Sequence, residues 1–390
     1  MQFRNAARLL LALAMLVAGT LAGCAGAPAA PTAQPKPAAA PTIAPATPVP
    51  APTSASGKIQ LTDVVGRKVE LPKSPERVVV VGQGAFMVLH TLYMFPEARP
   101  KIVATELRQA SNGAFIDFID PTFKQKGILE MNAGPEQIAT YKPDLAIIKS
   151  TADVKLAAGL EQLGIPVVYV GLETPEMIYK DVENLGLVFG NPARAKAINA
   201  FYQDRVRKLA DKTAGIDDKS KPRVLTIDYK DRSGQVAVSV APEAWMQTIE
   251  VKLAGGAPVW TEASVGGSGW IVVNMEQVAR WNADKVFVIA FLSPNPAEVI
   301  AKLKADAQWK DLKAVKSNEV YAYAQDIFAW DTPDTRWILG TMWMAKQIHP
   351  DRFKDIDLNQ EVRAFFTELY GMDKASVDAN IMPRLKTDIR

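Results

Sequence analysis

The 390-residue sequence predicts an α/β protein of two lobes joined by a single long α-helix, with a ligand cleft between the lobes. Three observations predict this architecture. Short, continuously apolar runs rich in valine and isoleucine alternate with stretches of helical spacing, which is typical of parallel sheets covered by helices. One unit, a predicted helix followed by a predicted strand, occurs twice in the sequence, as PEQIATYKPDLAIIK (135–149) and as MEQVARWNADKVFVIA (275–290). A long amphipathic segment lies between the two copies.

The first half contains a βα series. Residues 58–72 have hairpin character, with Gly66 at the turn. Four apolar runs follow and are predicted as strands, most of them buried on both faces: RVVVVG (77–82), KIVATE (101–106), PDLAIIKS (143–150) and IPVVYVG (165–171). The intervening stretches have helical spacing, which predicts a first Rossmann-like lobe with a parallel sheet.

The second half shows the same alternation of apolar runs and stretches of helical spacing. Its predicted strands are PRVLTIDY (222–229), VAVSV (236–240), DKVFVIAF (284–291) and EVYAYA (319–324). Its predicted helices are EAWMQTIEVKLAG (243–255), AEVIAKLKAD (297–306), TRWILGTMWMAKQI (335–348) and, as the last one, NQEVRAFFTELYG (359–371). We therefore expect a second Rossmann-like lobe of matching design.

The segment 191–215 predicts the bridge between the lobes. Asn191 suits an N-cap, Pro192 suits the first helical position and Gly215 suits the stop after the helix. Four apolar residues recur at helical spacing: Ile198, Tyr202, Val206 and Leu209. A helix of about 22 residues would be ~33 Å long. One stiff helix permits small hinge motions rather than wide opening.

The first 24 residues have the pattern of a secretory signal peptide. Arg4 and Arg8 precede a short apolar core, and small residues follow it. The end of this segment, Leu21 to Cys24, resembles a bacterial lipobox. The resemblance implies cleavage before Cys24, lipidation of that cysteine and anchoring of the protein to the lipid bilayer through its acyl chains. We expect an extracytoplasmic protein anchored to the cell membrane as a lipoprotein.

Residues 25–57 are rich in alanine, proline and threonine and contain no acidic or aromatic side chain. Such a segment does not bury enough apolar surface to fold, so it predicts a disordered tether. The predicted organisation is then a signal peptide (1–23), lipidated cysteine and tether (24–57), first lobe (58–190), bridging helix (191–215) and second lobe (216–390).

Composition excludes several function classes. Net charge is +3 and falls to +1 when Arg4 and Arg8 are removed, which gives no case for nucleic-acid binding. One cysteine and two histidines do not suffice for a Cys/His zinc site or an iron–sulfur cluster. No G-x-S-x-G elbow and no H-E-x-x-H helix is present. We therefore expect no cofactor, no bound metal ion and no enzymatic activity.

Several ordered stretches resemble the class III, or helical-backbone, substrate-binding proteins of ABC importers. The matching stretches are TDVVGRKVELPKSPERVVVVG (62–82), GPEQIATYKPDLAII (134–148), the segment after GNPARA (190–195), NMEQVARWNADKVFVIA (274–290) and DTPDTRWILGTMWMAKQIHPDRF (331–353). The resemblance covers roughly residues 58–372. It implies a monomer that binds an iron–siderophore complex, haem, cobalamin or a metal ion and docks on a membrane permease dimer.

In that family a surface glutamate on each lobe docks against arginines of the permease. The positions that match are Glu136 and Glu276. Helix-start chemistry explains the same residues without a permease. A carboxylate in the first turn is favoured by the helix dipole by about 0.3–1 kcal/mol. Asn274 and Gln277 also form a variant of a capping box around Glu276. Both interpretations can hold together.

Candidate ligand residues are aromatic and basic side chains near predicted strand or loop ends. Indole walls suit flat or apolar ligand parts, guanidinium groups suit an anionic ferric chelate, and a phenol can donate a hydrogen bond or ligate iron. The candidates are Arg108, Tyr229, Arg232, Trp245, Trp270, Trp330 and Arg336. Core packing or solvation is the alternative for each of them. His90, on a helical apolar face, is predicted to be packed rather than to bind a ligand.

These patterns predict a lipid-anchored solute-binding component of an ABC importer, with an iron–siderophore complex as the first candidate ligand. Cobalamin, haem and oxyanions stay open as ligands of the same mechanism. A non-transport ectodomain and an enzyme of similar shape are the remaining alternatives. Closure around a ligand requires that the ligand bind the closed arrangement more tightly than the open one.

Overall fold

The computed structural model describes residues 57–107, 115–150, 154–232, 235–264, 266–267, 269–290 and 295–386, all within one compact unit, Ser54–Arg390. The predicted signal peptide, Cys24 and the tether lie outside the described residues, as does Arg108. Among the described residues, no helix is long and apolar enough to cross a bilayer.

The first lobe is built on five parallel strands. They are β3 (Val78–Val81), β4 (Ile102–Glu106), β5 (Gly127–Leu129), β6 (Leu145–Lys149) and β7 (Val167–Val170), in the order β5-β4-β3-β6-β7. The four valines of the central strand β3 are buried, which explains why its sequence is continuously apolar. The preceding hairpin is formed by β1 (Ile59–Thr62) and β2 (Lys68–Leu71). Gly66 lies in its turn at φ 82°, as predicted.

Helices cover both faces of this sheet. They are α1 (Ala85–Leu92), α2 (Pro135–Ala139), α3 (Val154–Gln162) and α4 (Pro175–Val188). One hydrophobic cluster contains Val79 and Val81 of β3 together with Ile138 and Leu160, while Val78 and Val80 belong to another. Alternate side chains of β3 thus enter two separate cores, as expected for a strand covered on both faces.

The bridging helix α5 (Pro192–Thr213) has 22 residues. The Asn191 side chain accepts a hydrogen bond from the Arg194 backbone N–H at 2.9 Å, which caps the first turn. Gly215 follows the helix at φ 74°, a conformation that favours glycine. The helix start and stop predicted from the sequence are therefore confirmed.

The second lobe has a mixed sheet with a parallel core. Its strands are β8 (Arg223–Arg232), β9 (Gln235–Val240), β10 (Ala257–Pro258), β11 (Ile271–Val273), β12 (Lys285–Ile289) and β13 (Val320–Ala322), in the order β11-β9-β8-β12-β13 with β10 beside β8. Strands β8, β12 and β13 are parallel, as predicted. Strand β9 is antiparallel to β8, because two residues are too few for the crossover that a parallel pair needs.

Seven helices lie among the described residues of the second lobe. They are α6 (Met246–Leu253), α7 (Met275–Trp281), α8 (Pro296–Ala305), α9 (Lys313–Lys316), α10 (Trp337–Ile348), α11 (Leu358–Ala364) and α12 (Lys374–Asn380). Helix α11 continues as a π-helical turn, Phe365–Leu369. The prediction that this helix is the last was wrong, because α12 follows it with Asp373 as its N-cap.

One hydrophobic cluster runs from the first lobe through the bridging helix into the second lobe, and we call this shared region the base. The larger hydrophobic cluster includes Val80 of β3, Tyr202 of α5 and Trp337 of α10. Arginines reinforce this base from the first lobe and from the bridge. Arg99 donates to the Tyr370 carbonyl at 2.6 Å, and Arg194 donates to the Leu369 carbonyl just before it. The lobes are therefore joined by packing and hydrogen bonds as well as by α5.

Candidate functional site

Buried charged side chains order the carboxyl ends of the first-lobe strands. The Glu106 carboxylate, at the end of β4, accepts N–H bonds from Gly82 at 2.8 Å and from Asn132 at 2.9 Å. Lys149, at the end of β6, is buried and ion-paired with Glu173. These residues were not predicted from the sequence as parts of a site. The signal for them was a charged residue at the end of an otherwise apolar strand.

The loop between β3 and α1 needs glycine for close approach. Gly84 has φ 80°, and a Cβ atom there would lie 2.8 Å from Cδ of Lys149. The GQGAF segment (82–86) is therefore a tight turn packed against the aliphatic part of the Lys149 side chain.

Two of the predicted tryptophans contact each other in the second lobe. Trp245 is the N-cap residue of α6, and Trp270 directly precedes β11. Their rings meet edge to face, with centroids 5.8 Å apart and planes at 88°. Both side chains are partly exposed. The segment that follows β9 positions Trp245 beside Trp270. Because both indole rings keep accessible surface, the pair can serve as an apolar wall for a ligand.

Tyr229 lies on β8, one residue beyond the position that pairs with the end of β12. It is 9% exposed. Burial, with the nearby Asp231 carboxylate, raises the pKa of Tyr229 above its ordinary value. The phenol is therefore neutral at physiological pH and can donate a hydrogen bond. The side chain of Arg232, at the end of the same strand, lies outside the described part of the structure.

Trp330 and Arg336 are fully buried. The Trp330 indole N–H donates to Asp326 at 3.0 Å, and the Arg336 Nε donates to the same carboxylate at 3.0 Å. Arg336 Nη1 also lies 3.7 Å from Asp334. Two carboxylates thus balance one guanidinium group, and neither Trp330 nor Arg336 presents surface to a ligand in this arrangement. Their predicted ligand role stays a prediction, and this packing favours a structural role for both.

The Arg336 guanidinium group is enclosed by aromatic rings. Its carbon lies 4.3 Å from the centroid of Phe115 and 5.4 Å from that of Phe366. Burial alone would lower the pKa of Arg336, but Asp326 and Asp334 raise it above the ordinary value. Nη1 and Nη2 have no hydrogen-bond acceptor among the described residues. Since Phe115 belongs to the first lobe and Arg336 to the second, the contact lies in the seam between the lobes.

A histidine and an aspartate also meet across this seam. His90 Nδ1 of α1 lies 2.7 Å from Asp334 Oδ2, and both side chains are inaccessible to solvent. Phe86 of α1 contacts Phe328 of the second lobe, with centroids 5.0 Å apart. His90 is thus packed, as its apolar context predicted. Its polar partner, 244 positions away in the chain, left no local signal in the sequence.

The two predicted docking residues are both exposed. Glu136 and Glu276 each occupy the second position of a helix, α2 and α7. Within the described residues, neither carboxylate has an ion-pair or hydrogen-bond partner. The capping box around Glu276 is present, with Asn274 accepting from Gln277 N–H at 2.9 Å and Gln277 accepting from Asn274 N–H at 3.1 Å. Helix α2 has no such cap and begins with Pro135.

The described residues contain no group of three or more His, Cys, Asp or Glu side chains placed to hold a metal ion. A cavity of about 230 Å³ lies at the amino end of β7, on the side opposite the strand ends discussed above. Two of its lining side chains, Arg67 and Glu161, are ion-paired with each other at 2.7 Å.

Comparisons with known proteins identify the fold. The chain is 23% identical over 254 residues to the molybdate-binding protein MolA of Haemophilus influenzae, covering 60% of this chain and 69% of MolA. It is 25% identical over 245 residues to YvrC of Bacillus subtilis, an uncharacterized ABC transporter substrate-binding lipoprotein, covering 60% of this chain and 70% of that protein. A periplasmic solute binding protein from Veillonella parvula superposes with a TM-score of 0.66 at 24% identity, covering 83% and 97% of the two chains.

The structure of MolA bound to molybdate superposes with a TM-score of 0.65 at 20% identity, covering 80% of this chain and 98% of MolA. These likenesses confirm the predicted α/β fold of two lobes. The sequence profile of the family described as "Periplasmic binding protein" matches residues 116–327, just over half of the chain. The protein therefore belongs to the periplasmic binding protein family, as an extracytoplasmic, non-enzymatic solute-binding component of an ABC importer.

Proposed function

We propose that this protein captures a metal chelate, with an iron–siderophore complex as the first candidate, and delivers it to a membrane permease dimer. The observation that carries the proposal is the Trp245–Trp270 pair, with centroids 5.8 Å apart. Chelates of iron present flat or apolar faces, and indole rings bind such faces through large contact areas. A bare oxyanion offers an indole ring little to contact.

The exposure of this pair distinguishes it from most other tryptophans of the second lobe, although Trp281 at the end of α7 is also partly exposed. Four of them are fully buried side chains of the core: Trp260, Trp330, Trp337 and Trp343. Their indole rings are already covered by protein atoms. Trp245 and Trp270 keep free surface, which a ligand can cover at a gain of about 25 cal/mol per Å² of apolar area.

Polar groups supplement the aromatic wall. The neutral phenol of Tyr229 is a hydrogen-bond donor on β8, one residue beyond the position that pairs with the end of β12. Arg108 and Arg232 keep their proposed role as partners for anionic groups of the chelate. Arg336 is a weaker candidate than these two, because Asp326 and Asp334 already neutralise it.

Delivery to the permease involves Glu136 and Glu276. Both are exposed, and both lie at the second position of the repeated helix, one in each lobe. An exposed carboxylate without a partner in the described part of the chain is free to pair with an arginine of the permease. We further propose that Cys24 carries the lipid anchor, which would hold the protein near the permease through the tether.

A titration of tryptophan fluorescence tests the ligand class. The full chain, in detergent micelles, is titrated with a ferric hydroxamate siderophore, a ferric catecholate siderophore, haemin, cyanocobalamin and sodium molybdate. We expect saturable quenching by at least one ferric siderophore, and a weaker response when Trp245→Phe removes part of the wall. Saturation by haemin or cyanocobalamin alone would keep the chelate class but replace the first candidate. No response to any chelate would refute the proposal.

Molybdate is the second candidate, and the likeness to a molybdate-binding relative favours it. Calorimetric titration with sodium molybdate detects binding that does not change fluorescence. Binding of molybdate, without binding of any chelate, would replace the chelate proposal with an oxyanion one. The role of the protein in an ABC importer would stand in either case.

A further inference from the structure

Within the described part of the chain, the seam between the lobes contains a hydrogen-bonded pair of side chains that is fully buried and joins residues of different lobes. His90 belongs to α1, which packs on the first sheet, and Asp334 precedes α10 of the second lobe. Nδ1 and Oδ2 are 2.7 Å apart, with both side chains at 0% exposure. A hydrogen bond without access to water is directional and costly to break, so it restricts where the two helices can lie.

The second lobe holds the Asp334 carboxylate in place. Oδ1 accepts the backbone N–H of Arg336 at 2.8 Å, and Oδ2 lies 3.7 Å from Nη1 of the same arginine. Arg336 is in turn fixed by Asp326, to which its Nε donates at 3.0 Å. Because the carboxylate cannot move independently of its own lobe, its bond to His90 sets the position of the first lobe.

The next residue, Thr335, connects the same point to the bridging helix. Tyr202 of α5 donates its hydroxyl hydrogen bond to the Thr335 carbonyl at 2.8 Å. The Thr335 hydroxyl lies 2.7 Å from the Tyr370 hydroxyl, which is 3.2 Å from the His90 carbonyl. Residues 334–336 therefore contact the first lobe, the bridge and the carboxyl-terminal segment at one place.

Contacts of aromatic rings surround this network, and they constrain direction less than a hydrogen bond does. Phe86 packs on Phe328, and Phe115 packs on the Arg336 guanidinium group. The hydrophobic part of these contacts is non-directional, so they restrict the angle between the two lobes less than a hydrogen bond does. We infer that Asp334 is a positioning residue that fixes the angle between the two lobes through its hydrogen bond to His90.

The distance between the lobes can be measured by double electron–electron resonance between two nitroxide spin labels. Labels are placed at Glu183→Cys on α4 and Lys302→Cys on α8, both on exposed helical positions, in the full chain with Cys24→Ser. We expect one narrow distance distribution for the parent protein. Asp334→Ala should broaden it, because the directional contact across the seam is lost. No ligand is added, so the result does not depend on which solute the protein carries.

A matched control separates this role from general loss of stability. Tyr93 donates to Asp120 at 2.7 Å, the same length as the seam contact, but both residues belong to the first lobe and are buried. Tyr93→Phe should lower the melting temperature and leave the distance distribution unchanged. An equal broadening in Tyr93→Phe would overturn the assignment, since the seam contact would then have no special effect.

A conservative variant gives a second test should Asp334→Ala fail to fold. The amide nitrogen of asparagine occupies nearly the place of Nδ1, so His90→Asn can donate to Asp334 and should retain the narrow distribution. His90→Leu removes the donor and should broaden it. Equal widths in these two variants, both folded by circular dichroism, would show that the pair has only a packing role.

Discussion

Glu136 and Glu276 occupy equivalent places in the two lobes: each is the second residue of a helix that follows a three-residue edge strand, β5 or β11. Strand β11 runs in the direction of β8, because each is antiparallel to β9. Each glutamate therefore lies beyond the carboxyl end of a strand in its own sheet. Both are exposed, as their proposed role in docking on a permease requires.

Replacing these carboxylates by amides should impair uptake. Glu136→Gln and Glu276→Gln keep the side-chain shape and remove the charge that would pair with a permease arginine. An ion pair of ~1 kcal/mol corresponds to about a fivefold loss for each site. Uptake of the radiolabelled ligand in whole cells is the measurement. Normal uptake in the double variant, combined with normal surface expression, would contradict docking through these residues.

The capping box of α7 gives a matched variant that should not affect docking. Asn274→Ala removes the side chain that accepts from Gln277 N–H, and loss of such a cap costs about 1 kcal/mol. We expect a lower melting temperature with unchanged uptake, the opposite of the result for Glu276→Gln. A loss of uptake in Asn274→Ala at temperatures where the protein stays folded would show that the whole helix start contributes to docking.

The indole pair should control ligand affinity. Trp270→Ala removes one ring of the edge-to-face contact and the surface it offers to a chelate. A loss of about 1.4 kcal/mol would weaken binding tenfold, which equilibrium titration resolves easily. Trp309→Phe is the control, because Trp309 is buried in the core and should affect stability alone. Equal affinity of Trp270→Ala and the parent protein would remove this pair from the ligand site.

Close packing at Gly340 should make even one methyl group costly. A Cβ atom at this position of α10 would lie 2.5 Å from the backbone oxygen of Trp330, which cannot turn away. Overpacking of this kind costs about 1–3 kcal/mol, so Gly340→Ala should lower the free energy of unfolding by that amount. Gly269→Ala has no atom within 4 Å of the added carbon and should be nearly neutral. Denaturant unfolding compares the two variants.

Stability should fall as pH rises from about 4 to about 7, in part because of Asp181. Burial raises the pKa of Asp181 to about 7, although N–H groups of Gly171 and Leu172 donate to it. The ordinary value is 3.8, so between pH 4 and 7 the folded state binds a proton that the unfolded state has lost. The free energy of unfolding therefore decreases with rising pH in this window, by at most about 1.4 kcal/mol per pH unit for one proton.

Asp181→Asn isolates that contribution. Asparagine can accept the same two N–H bonds but does not titrate, so the variant should lose part of the pH dependence between pH 4 and 7. Asp331, whose pKa burial also raises to about 7, acts in the same direction and should maintain the remainder. Parallel unfolding curves for the variant and the parent protein across this range would show that Asp181 is ionised in the fold.

The regular elements could be predicted from sequence because their signals are local. The valine run of β3 and the Asn191-Pro192 start of α5 each depend on residues close together in the chain. Strands β5, β10 and β11 were not predicted, because two or three residues give no periodicity. The His90–Asp334 contact could not be predicted for a different reason. Its partners are 244 positions apart in the chain, and local sequence patterns do not identify such distant pairs.

The candidate site was predicted in part. Trp245 and Trp270 were selected individually, and only the fold brings their rings together. Arg336 and Trp330 were selected as loop residues near a ligand, yet the segment that contains them folds inward against Asp326. A loop-like sequence does not predict whether the loop will face solvent or a neighbouring helix. In this segment, tertiary packing determines that Trp330 and Arg336 are buried.

The hydrogen bond between Arg99 and the Tyr370 carbonyl has a consequence for biogenesis, because 271 positions separate the two residues. An extracytoplasmic chain crosses the membrane from its amino terminus, so the strands of the first sheet leave the translocation pore long before Tyr370 does. Both sheets can form while the base between them is still unmade. A chain cut short before the π-helical turn would then contain both sheets and the His90–Asp334 contact but would lack the Arg99–Tyr370 and Arg194–Leu369 hydrogen bonds. Proteases of the cell envelope would encounter a protein whose lobes are folded but held together by fewer contacts.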